Sequence, residues 1–372
     1  MRVVVAGNMG YVGSVLTPYL AARHPDWTID GIDTAWFGPD VVPGSPLPER
    51  RVRRQWFLDL RDLPGEVLDG ADAVVNLAAV SNDPMGREFE TVTAEINRDA
   101  CLRLAAAARD AGVKSFIFAS SCSTYGKADN QQRNEESSLN PLTAYARSKV
   151  ESEDGLRRLA GPSFFVTCLR FATACGFSPR VRLDLALNDF VASALSAGRI
   201  ELLSDGTPWR PLVAVTDMAR AIRWAISERH GAGEPFELLN CGANSWNFTV
   251  REMADKVAAV LGGLPVTVRP GAGPDPRSYR VDFSRFARLS GDLLPGTTLD
   301  EVVAELASGL GFLAASPGHF REGGYVRLNA LRSLRQRGLL GSDLRWVSAA
   351  AAPAAREEGP VSSGANALSA GR

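Results

Sequence analysis

Short apolar runs and amphipathic segments alternate along the first 175 residues of the chain. Runs that are β-branched or almost wholly apolar predict strands at 2–6, 27–33, 52–60, 73–78, 115–119 and 164–171. Between these runs, apolar residues at helical spacing predict helices, of which the longest cover 88–111 and 142–159. Strands that are apolar on both faces are typical of a parallel sheet with helices on both sides. The pattern therefore predicts an α/β fold built on a doubly wound parallel sheet.

The regular alternation of apolar runs and amphipathic segments ends near residue 175. Helical patterns at 183–197, 215–227 and 249–261 mix with short strands and Gly/Pro turns, and an arginine-rich loop covers 269–280. We predict a first domain over 1–175 and a smaller C-terminal lobe over 176–310, with 213–226 interleaved with the first domain. A helical extension is predicted over 311–348, and the tail at 349–372, rich in Ala, Gly, Ser and Pro, is predicted to be disordered.

Composition and charge narrow the classes of function. Apolar content of 45% and charged content of 22% are ordinary for a soluble globular protein. The formal net charge of -1 gives no global field that would attract nucleic acid or an anionic membrane. No apolar run reaches the roughly 18 residues of a membrane-spanning helix. We therefore expect neither a nucleic-acid partner nor a membrane partner.

The positions of the histidines and cysteines do not indicate a zinc site, a Ser-His-Asp triad or a disulfide framework. The three histidines, His24, His230 and His319, lie far apart, which gives neither a zinc site nor a Ser-His-Asp triad. The five cysteines are scattered without Cys-x-x-Cys spacing, which fits a reducing compartment better than a disulfide framework. No signal-peptide pattern precedes the first strand. We expect a cytoplasmic protein without a metal site.

A glycine loop joins the first predicted strand to a helical pattern, in the segment Gly7-Asn8-Met9-Gly10-Tyr11-Val12-Gly13. In such loops one glycine allows the tight turn, one lets the backbone approach a pyrophosphate, and one lets the helix pack on the strand. The helix N-terminus adds N–H groups and a positive dipole for phosphates. Asp33 closes the second strand about 20 residues further on, where a carboxylate accepts hydrogen bonds from ribose hydroxyls and repels a 2′-phosphate. NAD is therefore predicted rather than NADP, although the arginines at 50, 51, 53 and 54 leave a 2′-phosphate partner open.

Tyr145 and Lys149 form a candidate acid–base pair. They stand four residues apart in a predicted helix, so the phenol and the ammonium lie on one face. A free phenol has a pKa near ~10, and a positive charge within ~4–6 Å lowers that pKa and makes the phenol a usable proton acceptor. The spacing also occurs by chance in many helices, and its position after the glycine loop makes it informative.

Four motifs in sequence order closely resemble those of the extended short-chain dehydrogenase/reductase family, in particular its nucleotide-sugar epimerases and dehydratases. They are the loop Gly7-x-x-Gly-x-x-Gly13, the segment Asn76-Leu77-Ala78-Ala79, the segment Ser120-Ser121-Cys122-Ser123-Thr124-Tyr125-Gly126, and Tyr145-x-x-x-Lys149. The resemblance covers about residues 1–310. It implies a Rossmann NAD-binding domain at 1–175 and a nucleoside-diphosphate sugar bound by the lobe at 176–310.

The resemblance also implies roles for single residues of the first domain. Tyr145 would take the proton from a sugar hydroxyl, Lys149 would hydrogen-bond the nicotinamide ribose and keep Tyr145 acidic, and Ser121 would bridge the sugar hydroxyl and the phenol. Asp59 matches the carboxylate that contacts adenine. The remaining implied cofactor contacts are Gly7, Gly10, Tyr11, Val12, Gly13, Leu60, Leu77, Ala78 and Ala79.

Substrate contacts are implied in the second lobe. Arg210, in Arg210-Pro211-Leu212-Val213-Ala214, resembles a family arginine that contacts the nucleotide's phosphates, although Ala214 replaces the usual histidine. Arg277 resembles the second diphosphate-binding arginine, with Arg280 as a rival. Guanidinium groups suit phosphate oxygens. Asn188 fits the asparagine beside the sugar diphosphate.

The residues after Ser121 bear on the reaction. The family first oxidises sugar C4 to a ketone, and its 4,6-dehydratases place Asp-Glu or Glu directly after the catalytic Ser/Thr. This chain has Cys122 and Ser123 there, and neither is a good acid at neutral pH, since an unperturbed thiol titrates near ~8.5. A 4-epimerase needs space for the keto sugar to turn over more than it needs extra acid–base groups. We therefore predict NAD-dependent 4-epimerisation of a nucleotide sugar.

Other functions on the same fold stay open at this stage. They include 4,6-dehydration, reduction of a 4-keto sugar, and 3,5-epimerisation with Cys122 as the base, although Cys122 is one residue away from that family's cysteine. A non-catalytic NAD-binding sensor or scaffold is an alternative of another class, against which the intact Ser121, Tyr145 and Lys149 argue. The helices at 88–111 and 142–159 resemble those that pair two family subunits, so we expect a homodimer.

Overall fold

The computed structural model describes residues 1–229, 233–273, 277–315 and 320–348. The tail predicted to be disordered, at 349–372, lies outside these residues. Within the described part of the chain, the strands are β1 (Arg2–Ala6), β2 (Thr28–Asp33), β3 (Arg54–Phe57), β4 (Ala73–Asn76), β5 (Ser115–Ser121), β6 (Lys127–Arg133), β7 (Phe165–Phe171), β8 (Thr173–Cys175), β9 (Ile200–Leu202), β10 (Trp209–Ala214), β11 (Phe236–Cys241), β12 (Asn247–Thr249), β13 (Val266–Val268) and β14 (Ser278–Val281).

The α-helices of the same residues follow the predicted alternation in the first half. They are α1 (Gly13–Arg23), α2 (Asp83–Glu88), α3 (Glu90–Ala94), α4 (Cys101–Asp110), α5 (Ala144–Leu159), α6 (Ala186–Ala197), α7 (Val215–Ser227), α8 (Val250–Val260), α9 (Ser284–Ser290), α10 (Leu299–Gly309) and α11 (Arg327–Gln336). No helix among the described residues is long and apolar enough to span a membrane.

A seven-stranded parallel sheet forms the centre, in the order β11-β7-β5-β4-β1-β2-β3. The order reverses between β1 and β4, which creates the crevice where such sheets bind ligands. The predicted doubly wound Rossmann sheet is thereby confirmed. Its last strand, β11, comes from within the predicted second lobe, so the sheet extends beyond the proposed boundary at residue 175. The division into domains otherwise stays a prediction.

The side chains of β1 show why helices cover both faces of the sheet. Val3 and Val5 belong to an apolar cluster that includes residues of α1 and α7. Val4 and Ala6 belong to a second cluster, on residues of α4 and α5. Because successive strand side chains point to opposite faces, a strand that is apolar throughout needs helices on both sides. The helix α7 therefore packs with the first half of the chain, although it lies beyond the predicted boundary at residue 175.

The long helix predicted at 88–111 is interrupted in the structure. Phe89 separates α2 from α3, and a π-helical turn, Glu95–Ala100, joins α3 to α4. Inside this turn Asn97 pairs with both backbone groups of Val80, at 2.8 and 3.0 Å, and the hydroxyl of Ser152 donates to the Asn97 carbonyl at 2.9 Å. Side chains inserted into a helix in this way are a known cause of π-turns. Periodicity alone does not reveal them.

The second half and the extension have their own apolar clusters. Residues of α6, α8 and α10 form one cluster beneath the short strands β9 and β10. The extension predicted at 311–348 contains α11, whose Leu331 and Leu334 pack with Trp36 and Phe89 of the first half. The loop predicted at 269–280 is partly a strand, since β14 pairs with β6.

Candidate active site

A cavity of about 650 Å³ lies at the carboxyl ends of the central strands. It collects most of the residues that the sequence singled out, which are Gly7, Gly10, Tyr11, Val12, Gly13, Asp33, Asp59, Leu60, Leu77, Ala78, Ala79, Ser121, Tyr145, Lys149, Arg210 and Arg277. These residues come from segments far apart in the chain. The fold therefore brings the cofactor, catalytic and phosphate-binding candidates to one place.

The glycine loop is shaped by very close backbone contacts. Gly7 has a φ of +84°, and a Cβ there would lie 2.6 Å from the backbone nitrogen of Ala78. A Cβ on Gly13 would lie 2.4 Å from the carbonyl oxygen of Gly7. Helix α1 begins at Gly13, so its N-terminal N–H groups and positive dipole end lie at this loop. The loop thus fits the pyrophosphate of a dinucleotide, which needs close backbone approach.

The two predicted cofactor carboxylates are held by local hydrogen bonds. Asp33 accepts from the backbone N–H groups of Met9 at 2.9 Å and Ala35 at 2.8 Å. Burial raises the pKa of Asp33, and these backbone hydrogen bonds partly offset that rise. Each of its oxygens keeps a further lone pair for a ribose hydroxyl. Asp59 is ion-paired with Arg61 at 2.7 Å at the rim of the same cavity.

Two of the basic residues considered as partners for a 2′-phosphate are engaged away from the cavity. Arg53 pairs with Asp30 at 2.7 Å, and the guanidinium of Arg54 lies 3.6 Å from the ring centroid of Trp56. Neither arginine lines the cavity. The residues around Asp33 therefore fit NAD, whose adenosine ribose carries free hydroxyls at this position.

Three consecutive residues of β5 hold one face of α5. The carbonyl of Ala119 accepts from the Lys149 ammonium at 2.7 Å, the hydroxyl of Ser120 donates to Glu153, and the side chain of Ser121 hydrogen-bonds the Tyr145 phenol. Thr143 caps the helix by accepting from the backbone N–H of Ala146 at 3.1 Å. The structure thus brings Ser121, Tyr145 and Lys149 together at the cavity.

The pKa of Tyr145 does not move in the direction that the spacing predicted. Burial raises it to about 12, while the hydrogen bond with Ser121 and the charge of Arg182 lower it only in part. The Lys149 ammonium lies 5.5 Å from the centroid of the Tyr145 ring. Burial of the phenol outweighs the nearby positive charges, because an ionised phenol loses more solvation than a neutral one. In the protein alone, Tyr145 is protonated at neutral pH.

Burial lowers the pKa of Lys149 to about 8, while the charge of Glu153 acts in the opposite direction. Glu153 itself is bound by Arg170 through two contacts, of 2.6 and 2.9 Å. Arg170 also donates to the hydroxyl of Tyr125 at 3.1 Å. Glu153, Arg170 and Tyr125 thus form a buried network next to the catalytic candidates, and the charge of Glu153 acts on Lys149.

Two charged pairs at the cavity were missed by the sequence reasoning. Arg182 binds Asp184 through contacts of 3.0 and 2.9 Å, and its charge acts on Tyr145. Asp83 accepts from Thr143 at 2.7 Å and from Arg277 at 2.6 Å. The available signal was a cluster of charges directly after β8, in Arg180-Val181-Arg182-Leu183-Asp184.

The two predicted phosphate-binding arginines lie side by side. Arg210 donates to the carbonyl of Arg277 and to that of Trp209, the latter at 2.8 Å. Both arginines line the cavity. The rival Arg280 does not, and its guanidinium lies 4.8 Å from the ring centroid of Trp209.

The structure places one predicted site residue, and one residue of an alternative mechanism, outside the cavity. Asn188 does not line the cavity, because its fully buried amide accepts from Gly176 N–H and donates to the Arg182 carbonyl, both at 2.9 Å. Cys122 is also buried, and its thiol donates to the carbonyl of Arg170 at 3.1 Å. Burial raises the pKa of this thiol well above its ordinary value, so it does not act as a thiolate base.

Comparison with known proteins agrees with this geometry. A family model described as the NAD dependent epimerase/dehydratase family matches residues 3–242. The Bacillus subtilis (strain 168) protein named uncharacterized UDP-glucose epimerase YtcB is 29% identical over 247 residues, which are 63% of this chain and 75% of that protein. The dTDP-glucose 4,6-dehydratase of Streptomyces griseus is 28% identical over 300 residues, covering 78% of this chain and 88% of that protein.

Solved structures share the architecture. The structure of MoeE5 in complex with UDP-glucuronic acid and NAD superposes with a TM-score of 0.71 at 27% identity. The match covers 83% of this chain and 98% of that chain.

Replacing Gly7 tests the role of the glycine loop. We expect Gly7→Ala to lower both the free energy of unfolding and the NAD retained after purification, because the new Cβ meets the backbone at Ala78. Gly112→Ala is the matched control, since Gly112 has a φ of +80° but a Cβ added there would meet open space, with nothing within 4 Å. The control should show only a left-handed strain of about 1–2 kcal/mol. Equal losses in both variants would contradict the proposed close approach.

Lys149 should make the stability of the NAD-free protein depend on pH. Its pKa of about 8 in the folded protein lies below the ~10.4 of an unfolded lysine. Between these values the unfolded chain binds more protons, so the stability contributed at Lys149 rises with pH. Denaturant unfolding should show that the free energy of unfolding of the wild type, relative to Lys149→Met, rises by up to about 3 kcal/mol between pH ~8 and ~10. Below pH ~7 the difference between the two proteins should not change with pH. A constant difference across this range would disprove the lowered pKa.

Proposed function

The chain belongs to the NAD-dependent epimerase/dehydratase family and is an NAD-dependent enzyme of nucleotide sugars, and on this basis we propose that it is a 4-epimerase. It would interconvert two nucleoside-diphosphate sugars through a transient 4-keto sugar. The relatives with which it shares most of its length include both epimerases and a dehydratase, so the choice between reactions depends on the side chains in the cavity.

The observation that carries the choice is the chemistry of the two residues after Ser121. Cys122 is buried, and its thiol donates to the Arg170 carbonyl, while Ser123 lines the cavity with its own hydroxyl buried and without a hydrogen-bond partner among the described residues. A 4,6-elimination requires a proton donor for the C6 hydroxyl that leaves, and a serine hydroxyl is a very weak acid. Returning a keto sugar to either epimer requires only the groups that oxidised it. These two positions therefore favour epimerisation.

The proton at the 4-hydroxyl is handled by the pair Ser121 and Tyr145. Bound NAD supplies the hydride acceptor, whose nicotinamide ring is positively charged when oxidised. A positive charge near Tyr145 would lower its pKa from about 12 and favour the phenolate, which would then accept the sugar proton. Ser121 would bridge the sugar hydroxyl and the phenol. Lys149, whose ammonium donates to the Ala119 carbonyl, would orient a ribose hydroxyl.

Sugar-nucleotide binding is proposed at the arginine side of the cavity. Arg210 and Arg277 lie together there, and guanidinium groups bind diphosphate oxygens through paired hydrogen bonds. Arg277 already contacts Asp83, so a diphosphate would compete with or share that contact. The region next to Tyr145 is lined by Arg182 and Asp184, and we propose that the sugar occupies it.

A 4,6-dehydratase is the second candidate, because one relative has that activity and two carboxylates, Asp83 and Asp184, line the cavity. Burial raises the pKa of Asp184, but the charge and hydrogen bonds of Arg182 lower it below its ordinary value. An ionised carboxylate can accept the C5 proton, but it cannot donate a proton to the leaving hydroxyl. Asp184 thus supplies only half of the required pair.

A homodimer through the helices at 90–110 and α5 is proposed by analogy with the family. These helices pack against each other, and the ion pairs Arg98–Glu151 and Arg147–Glu90, at 3.0 and 2.7 Å, cross between them. Light scattering of the purified protein measures the oligomeric state directly.

Turnover in deuterated water separates the candidate reactions. We expect conversion of one or more of UDP-glucose, UDP-glucuronic acid and dTDP-glucose to the C4 epimer, with no deuterium bound to carbon, because the hydrogen removed from C4 returns without exchange. Mass spectrometry and NMR of the product measure both features. Carbon-bound deuterium together with a 4-keto-6-deoxy product would instead assign the dehydratase, and deuterium with an altered C3 or C5 would assign the 3,5-epimerase.

Tyr145→Phe tests the proposed proton acceptor. The variant should lose at least about a hundredfold in kcat, the usual contribution of a general base, while the retained NAD stays at the wild-type amount. Tyr19→Phe is a control, because Tyr19 lies on α1 outside the cavity. Wild-type turnover by Tyr145→Phe would remove this residue from the mechanism.

A further inference from the structure

The residues 320–346, called here the C-terminal segment, connect the two sides of the cavity. At its start, Arg321 binds Asp189 of α6 through contacts of 2.7 and 2.8 Å. The hydroxyl of Tyr325 then donates to the carbonyl of Val41, in the loop that follows β2, at 3.3 Å. The segment therefore connects α6 with the loop that follows β2. It lies beyond the part of the chain matched by the family model, which ends at residue 242.

The C-terminal segment holds the loop that follows Asp33. The indole N–H of Trp36 donates to the carbonyl of Leu344 at 3.1 Å, and the indole N–H of Trp346 donates to the carbonyl of Thr34 at 2.6 Å. Thr34 and Trp36 both line the cavity. The wall beside the ribose-binding carboxylate is thus fixed from outside by the C-terminal segment.

Arg327, the first residue of α11, carries a guanidinium that is 1% exposed and lines the cavity. Its Nη2 donates to the Arg180 carbonyl at 2.8 Å, and the guanidinium lies 4.2 Å from the Phe37 ring centroid. Its Nη1 makes no hydrogen bond to the described part of the chain. The facing carboxylate, Asp40, lies 3.8 Å away, which is too long for a hydrogen bond.

A buried cation with an incomplete set of partners is unfavourable unless an anion completes it. The same imbalance acts on the pKa of Arg327, which burial lowers to about 10. Asp40 supplies a negative charge at a distance but leaves the Nη1 hydrogens unbound. An anion in the cavity would satisfy this nitrogen.

The position of Arg327 indicates which anion this is. The residue whose carbonyl it binds, Arg180, reaches Ser14 in the first turn of α1 at 3.3 Å. Phe37, under the guanidinium, follows Asp33 by four residues and also lines the cavity. Arg327 therefore stands against the loop after β2 and is linked through Arg180 to the helix that begins at the glycine loop. The charges of Arg182 and Asp184 also act on it. The loop and the helix are the two elements that hold the adenosine ribose and the pyrophosphate of a dinucleotide.

We propose that Arg327 binds a phosphate of the NAD pyrophosphate, so that the C-terminal segment forms part of the cofactor site. The proposal uses the NAD dependence of the family and is independent of which reaction the enzyme performs. The same guanidinium chemistry would suit the diphosphate of the sugar nucleotide. That ligand already has Arg210 and Arg277, which come from β10 and from the residue before β14.

Arg327→Met removes the charge and keeps the aliphatic stem. We expect the retained NAD to fall and the dissociation constant for NAD, measured by calorimetry on NAD-free protein, to rise roughly tenfold to a hundredfold, as for loss of a charged hydrogen bond. The dissociation constant for UDP should not change. Arg332→Met is the matched control, because Arg332 lies on the same helix but binds Glu88 at 2.6 Å outside the cavity. It should retain NAD like the wild type.

Three outcomes would overturn the proposal. They are wild-type NAD affinity in folded Arg327→Met, an equal loss in Arg332→Met, and a loss of UDP affinity that exceeds the loss for NAD. The last outcome would assign Arg327 to the sugar nucleotide. If Arg327→Met does not fold, Arg327→Lys decides, since it keeps the charge but not the planar fork. Weaker NAD binding with unchanged UDP binding in Arg327→Lys supports the proposal, and wild-type NAD affinity rejects it.

Discussion

The pairing between the end of β5 and one face of α5 is the constraint on which the active site depends. Consecutive strand residues hold three helix positions spaced four apart, through the contacts Ala119–Lys149, Ser120–Glu153 and Ser121–Tyr145. Because the three contacts depend on one register between strand and helix, a shift of β5 by one residue would break all three together. The central position of β5 between β4 and β7 prevents such a slip. The rigid sheet thereby sets the distance between the phenol, the ammonium and the cavity.

The middle contact of this set also determines the electrostatics. Glu153 is bound by Arg170 and raises the pKa of Lys149, against the larger opposing effect of burial. A buried ion pair adds little net stability, because removing two charges from water offsets most of their attraction. The role of the Glu153–Arg170 pair here is to fix the position of the Glu153 carboxylate. Arg170 holds the Glu153 side chain in place through two contacts, so that Lys149 faces a fixed partner, while burial lowers the pKa of Lys149 to about 8.

Local patterns predicted the sheet and most of the cavity, whereas contacts between distant segments escaped them. The glycine loop, Asp33 and the Tyr145–Lys149 spacing are each contained in a few adjacent residues, and all reach the cavity. The predicted lowering of the Tyr145 pKa was wrong, because burial raises this pKa and burial depends on the whole fold. Asn188 was misassigned for the same reason, since its partners Gly176 and Arg182 are set by the loop after β8. No local pattern indicated that β11 joins the central sheet or that α11 reaches the cavity.

The charged residues of the cavity differ in how completely they are paired. Arg182 and Asp184 form a close pair, so their geometry does not require a ligand. Arg327 interacts electrostatically with both of them, yet its Nη1 has no hydrogen-bond partner among the described residues, and a bound anion would complete its contacts. A ligand that binds only the folded state stabilises it in proportion to the logarithm of its concentration over its dissociation constant. A cofactor phosphate bound at Arg327 would therefore add to the stability of the folded protein. Such binding suits an enzyme whose NAD returns to the oxidised form in every turnover and need not leave, as in the proposed epimerisation.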